Sequence, residues 1–157
     1  MGVVFTRIDD RLIHGQVVTA WKNHYSIETI IIVDDELYKD EFMINVLKMT
    51  APSGVKLNVY SVDAIAEEVD EINSSKENIM IIVKKPQTAL QLHSLGINFN
   101  ELNLGGMGAG PGRKLLYKNV SASNDEIKVL QEICDKKIRV YLQAVPTEKQ
   151  VEFKTIV

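Results

Sequence analysis

Cysteine is nearly absent from this chain: Cys134 stands alone among 157 residues. A single thiol excludes an intramolecular disulfide framework, and Met1 to Phe5 does not read as the charged-then-apolar leader of a secreted protein. The cytoplasm is therefore the default compartment. Long hydrophobic runs are missing too. The longest, around Thr29 to Val33 and Ile79 to Val83, extend about five residues against about twenty for a spanning helix, so no membrane crossing is expected. Nor is there an excess of positive charge. With 18 Lys and Arg against 21 Asp and Glu, the net charge of -3 offers little to neutralise a phosphate backbone, and general nucleic-acid binding is not expected.

What is present is an ordinary folding composition, 45% apolar and 25% charged, which excludes a disordered or low-complexity scaffold. The length suits one domain spanning residues 1–157. Six β-branched runs read as strands: Val3 to Ile8, Thr29 to Val33, Lys56 to Tyr60, Ile79 to Val83, Glu101 to Leu104 and Ile138 to Gln143. Several are apolar on consecutive residues, the pattern of parallel strands covered on both sides.

Helical spacing lies between them. Val62, Ile65, Ala66, Val69 and Ile72 predict one amphipathic helix, with Glu67, Glu68, Asp70 and Glu71 on its solvated face. Pro86 opens another helix that Gly96 closes. Asn124 or Ser123 caps a helix whose inner stripe is Ile127, Leu130, Ile133 and Cys134, which makes Cys134 a core residue rather than a nucleophile. The fold class is thus α/β: a doubly wound, mainly parallel β-sheet with helices on both faces. In such sheets ligands bind beyond the carboxyl ends of strands.

Three segments follow strands. The first reads R-I-D-D-R-L-I-H-G-Q from Arg7 to Gln16 and then runs into the helical pattern Val17, Val18, Ala20, Trp21. It places a histidine at a helix start, where unpaired amides and the helix dipole favour an anion. Arg7 and Arg11 can add guanidinium hydrogen bonds to phosphate oxygens. Histidine, with an ordinary pKa of about 6.5, is mostly neutral at cytoplasmic pH and keeps a ring lone pair for attack on phosphorus. His14 is therefore the candidate nucleophile. Asp9 and Asp10 are candidate orienting acids, either of which could accept a hydrogen bond from the other ring nitrogen or hold an arginine in place, and Gly15 and Gln16 supply amides for a phosphoryl group.

The other two segments carry less. I-I-I-V-D-D-E-L, ending around Asp34 and Asp35, looks like the opening of a receiver domain, but I-M-I-I-V-K-K then ends in Lys84 and Lys85 where a phospho-accepting aspartate belongs. G-G-M-G-A-G-P-G-R-K, Gly105 to Lys114, lacks the Ser or Thr of a P-loop and follows the wrong strand for a dinucleotide fingerprint, so it reads as a glycine-permitted turn. His24 and His93 have no short paired spacing to each other, to Cys134 or to a carboxylate cluster, and no metal site is expected. Trp21 and Tyr25 read as packing residues.

The segment R-I-D-D-R-L-I-H-G-Q-V with nearby Trp21 resembles the active-site signature of the IIB components of the mannose/fructose/sorbose class of the bacterial phosphoenolpyruvate-dependent sugar phosphotransferase system. The likeness continues through I-I-V-D-D-E at Ile31 to Glu36, L-N-L-G-G-M at Leu102 to Met107 and L-Q-A-V-P at Leu142 to Pro146. It departs after G-G-M, where family members usually carry fewer glycines and no proline.

The resemblance implies a phosphocarrier without a cofactor. His14 would take a phosphoryl group from the IIA component and pass it to a sugar held by membrane IIC and IID components: mannose, fructose, sorbose or an amino sugar such as N-acetylgalactosamine. Arg11 and Arg7 would be its phosphate-loop arginines, Asp9 and Asp10 its acidic pair, and Nδ1 the phosphorylated nitrogen. A carrier meeting two partners is expected to expose its histidine on a loop. The alternative is a receiver-like or other doubly wound binding module without catalytic activity. The apolar strand edge and the chain end Phe153 to Val157 offer a surface for a homo-oligomer.

Overall fold

The computed structural model describes residues 2–157. Its main sheet has seven strands: β1 (Gly2–Asp9), β2 (Thr29–Val33), β3 (Lys56–Tyr60), β4 (Asn78–Val83), β5 (Glu101–Gly106), β8 (Arg139–Leu142) and β9 (Val151–Glu152), in spatial order β3-β2-β4-β1-β5-β8-β9. All neighbours pair in parallel except β8 with β9. A separate hairpin, β6 (Lys114–Tyr117) with β7 (Val120–Ala122), bridges to Met107.

Two cores hold the helices. Side chains alternate across a strand, so Ile30 and Ile32 join Phe5, Met80 and Ile82 on one face, while Ile31 and Val33 join Ile79, Ile81 and Val83 on the other. The first face is covered by α1 (Gly15–Tyr25), α2 (Asp35–Tyr38) and α3 (Glu41–Thr50), which contribute Val18, Trp21, Leu37 and Leu47. The second is covered by α4 (Val62–Ile65), α5 (Val69–Asn73), α6 (Pro86–Leu95) and α7 (Asn124–Asp135), through Ile65, Ile72, Leu92, Leu130 and Ile133. Each such side chain contributes about 1.5–3 kcal/mol on burial. The doubly wound arrangement is the expected one.

The local signals hold at α6 and α7. Pro86 stands in the first turn and Gly96 ends α6 in the left-handed region at φ 101°. Ser123, not Asn124, caps α7, in a capping box with Glu126. The single helix expected over Val62 to Ile72 is instead α4, a 3₁₀ turn at Ala66–Glu68 and α5. Like charges three and four apart, Glu67 with Asp70 and Glu71, weaken a continuous helix there.

At the chain end Phe153 is fully buried and β9 covers the outer edge of β8, so the largest side chain of the expected self-association surface over Phe153 to Val157 belongs to the core, while Val157 stays exposed.

Strand order places the site. From β1 the chain crosses to β2 on one side, and from β5 it proceeds to β8 on the other. The carboxyl ends of the adjacent strands β1 and β5 therefore open a crevice where their connections diverge.

Candidate active site

Arg7 and Asp9 are two residues apart on β1 and share a face. Each is buried to 1% side-chain exposure or less, and Arg7 Nη2 donates to Asp9 Oδ2 at 3.1 Å. Two buried charges hold together only when their remaining hydrogen-bonding capacity is also met. Arg7 Nη1 donates to Asn103 Oδ1 at 2.6 Å and to the Gln143 carbonyl at 3.2 Å. Its guanidinium lies over the Trp21 ring, 5.6 Å from the centroid. On the strand side it passes Gly105, where a Cβ would come within 2.0 Å of Cζ. The β1–β5 register slips at this point, from Ile8 opposite Leu104 to Asp9 opposite Gly106, leaving Gly105 as the extra residue of a bulge.

Beyond Asp9 the chain turns back on its own carboxylate. Arg11 donates to Asp9 Oδ1 from its backbone N at 3.0 Å and from Nε at 3.2 Å, and Leu12 N bonds the Asp9 carbonyl. Leu12 adopts φ 60°, unusual for a branched side chain. Burial of Leu12 and Ile13 in the same core as Phe5 and Trp21 holds that conformation. His14 then occupies the N-cap of α1 in extended backbone, with no side-chain cap on the helix, and Gly15 enters the helix at φ 52°.

His14 Nε2 lies 2.8 Å from Asp9 Oδ2, and 24% of the side chain remains accessible. Burial by itself would raise the Asp9 carboxyl. The His14 hydrogen bond, the Arg7 charge and the two Arg11 donors outweigh it and hold the group below the ordinary carboxylate range. An ionised carboxylate only accepts hydrogen bonds, so the ring proton of neutral His14 sits on Nε2 and the lone pair on Nδ1. Among the described residues Nδ1 has no hydrogen-bond partner.

The expected residues thus divide. Asp9, Arg11 and His14 come together, and Arg11 keeps half its side chain in solvent. Gly15 and Gln16 lie exposed at the start of α1. Arg7 as a phosphate ligand is corrected: it is buried behind Asp9 with Nη1 and Nη2 engaged, because its position on β1 points it into the core. Asp10 as an orienting acid of His14 is corrected as well. It accepts from Gly108 N at 2.7 Å and lies 3.6 Å from Arg113 Nη1. Arg113 in turn forks onto Glu126 at 2.9 and 2.7 Å and donates to the Gly108 carbonyl. Asp10 therefore anchors the glycine-rich loop.

Asp34 and Asp35 serve their own neighbourhood, capping Leu37 N and Val62 N, apart from the His14 group. Trp21 and Tyr25 stack on Phe5 as expected, and Trp21 Nε1 bonds the Ala144 carbonyl. Sequence reasoning passed over Asn103, Gly105, Gly106 and Gln143. The signal for Asn103 was a polar residue between Leu102 and Leu104 in a strand otherwise buried.

The family model for the PTS system sorbose subfamily IIB component matches residues 3–157. This chain belongs to that family. It is 30% identical over 156 residues to a fructose-specific EIIB component of Bacillus subtilis, covering 99% of this chain and 96% of the other. It is 32% identical to a sorbose-specific EIIB component of Klebsiella pneumoniae, covering 96% and 92%. The crystal structure of manxB from Thermoanaerobacter tengcongensis superposes with a TM-score of 0.91 at 42% identity, covering 99% and 94%.

IIB components are phosphotransferases that carry phosphoryl groups in sugar uptake, and the reading as a receiver-like or non-catalytic binding module gives way to that membership. No helix among the described residues is long and apolar enough to cross a membrane.

Proposed function

We propose that His14 is the phosphocarrier of this IIB component and that Nδ1 takes the group from a phosphohistidine of the cognate IIA component. The observation that carries the reading is the 2.8 Å contact between His14 Nε2 and the buried Asp9 carboxylate. The Nδ1 lone pair attacks phosphorus as the bond to the donor's ring nitrogen breaks, and the donor imidazole leaves neutral. The His14 ring, now bearing a proton on Nε2 and phosphorus on Nδ1, is cationic, and Asp9 compensates that charge. In the second half a sugar hydroxyl attacks phosphorus, its proton leaves to a base on the sugar-bearing partner, and His14 returns neutral.

The transition state is loose and needs alignment and charge stabilisation more than covalent help. The exposed Arg11 guanidinium supplies charge, and the uncapped first turn of α1 supplies the amides of Gly15 and Gln16. The donor is IIA and the acceptor a hexose held by membrane IIC and IID components: mannose, fructose, sorbose or an amino sugar such as N-acetylgalactosamine. The whole span 1–157 acts as one cytoplasmic IIB domain that meets the membrane through those partners. It uses no metal or organic cofactor.

Incubation with phosphoenolpyruvate, the general phosphocarrier proteins and IIA tests the reading. One acid-labile phosphoryl group is expected on the parent, and none on His14→Ala, which keeps its fold because a rim residue buries little apolar surface. Undiminished labelling of the folded variant overturns the proposal.

A further inference from the structure

Asn103 lies on β5 with no exposed surface, between two fully buried leucines. An amide buried without partners costs about 1–3 kcal/mol, so its presence in an apolar strand calls for a compensating arrangement. Both ends of the carboxamide are used. Oδ1 accepts the 2.6 Å charge-assisted bond from Arg7 Nη1, and Nδ2 donates to the Gln143 carbonyl at 3.1 Å, the same oxygen that Arg7 Nη1 reaches. That carbonyl is fixed in turn: Gln143 N bonds Leu104, and the Gln143 side chain bonds the Pro146 and Glu148 carbonyls and Gln150.

The Gly105 backbone lies against the Arg7 guanidinium, whose Cζ stands 5.6 Å from the Trp21 ring centroid. Asn103 fixes its Nη1 corner. The opposite corner, Nη2, is thereby aimed at Asp9 Oδ2, the oxygen that faces His14 Nε2.

We infer that Asn103 is a positioning residue for phosphoryl transfer, acting through Arg7 and Asp9 to hold the proton of His14 on Nε2 and the lone pair on Nδ1. The inference rests on His14 being the phosphocarrier. A purely structural asparagine would affect stability alone. A positioning one also sets the tautomer of a ring three hydrogen bonds away.

The experiment records the tautomer of neutral His14 by long-range proton–nitrogen NMR in the unphosphorylated full chain, beside the rate of acceptance from phosphorylated IIA. In the parent the proton resides on Nε2. In Asn103→Leu a measurable Nδ1–H fraction is expected, with kcat for acceptance lower by about tenfold or more and KM for the donor within about twofold. Asn103→Ala, which leaves space for water, carries the same two readouts should the leucine variant not fold.

A folded variant with the parent's tautomer and rate would overturn the proposal, and so would loss of folding in both. The tautomer measurement uses no phosphoryl donor. If phosphate were found on another residue, it would still decide whether Asn103 governs the His14 ring, while the phosphocarrier reading alone would fall.

Discussion

Asp9 Oδ2 is shared by the buried Arg7 Nη2 at 3.1 Å and the solvent-edged His14 Nε2 at 2.8 Å, with Arg11 Nη2 a longer third donor at 3.5 Å. One oxygen thus joins the interior of the sheet to the reactive ring. Asp9 is the hinge of the chemistry, and its partner at position 10 is not.

Replacing that carboxylate by an amide separates its two duties. Asp9→Asn leaves the Arg7 guanidinium buried beside a neutral group, and removing one partner of a buried pair costs about 3–5 kcal/mol. Urea denaturation reads this as a lower midpoint at unchanged slope. Phosphoryl acceptance is expected to fall by about 10- to 100-fold, whereas Asp10→Asn, altering only the Gly108 and Arg113 contacts, should affect acceptance far less.

The same carboxylate fixes an acid limb of stability. Burial raises the Asp9 pKa, but His14, Arg7 and Arg11 outweigh it, so the folded value lies below the unfolded value of about 3.9. A group depressed on folding contributes its full stabilisation above the unfolded pKa and loses it as pH falls through the folded one. Urea midpoints are expected to be insensitive to this group above about pH 5 and to decline below about pH 4. The decline should be shallower in Asp9→Asn, and an unchanged acid limb in that variant would remove Asp9 as its source.

Gly105 and Gly110 form a matched pair, since neither lies at positive φ. A Cβ at Gly105 would stand 2.0 Å from Arg7 Cζ, whereas one at Gly110 would meet only Arg113 Cδ at 3.9 Å. Gly105→Ala is expected to destabilise by about 1–3 kcal/mol as the guanidinium is forced out of its slot, and to slow transfer. Gly110→Ala should stay within about 0.5 kcal/mol of the parent. Thermal melts compare the two directly.

Arg11 is half exposed and forks toward Asp9 while facing the mouth of the site. Lysine keeps its charge but loses the planar fork, so Arg11→Lys should slow transfer and Arg11→Ala slow it further, with little change in stability. Parent-like transfer rates in both would assign the phosphate to other groups.

Much of this was legible in the sequence for a local reason. Central strands such as Thr29–Val33 are buried on both faces and read as unbroken apolar runs, and the Arg11-to-Gly15 segment keeps its chemistry within one turn. The division of labour between Asp9 and Asp10 was harder, because adjacent residues at a strand end diverge. Period-two spacing alone would have paired Arg7 with Asp9 behind the site. Asn103 carried a signal as a polar residue in an apolar run, but the meeting of Asn103, Gly105 and Gln143 with Arg7 was out of reach, since it arises only once β1, β5 and β8 lie side by side. The broken α4–α5 segment shows charge repulsion overriding apolar spacing.

The most direct measurement is heteronuclear phosphorus–nitrogen NMR of the phosphorylated, nitrogen-15-labelled protein, which reports the ring atom that carries phosphorus. Coupling of phosphorus to His14 Nδ1, with a proton retained on Nε2, is the predicted result. Coupling to Nε2, or to a nitrogen of His24 or His93, would contradict the arrangement in which Asp9 holds one face of the ring so that the other can react.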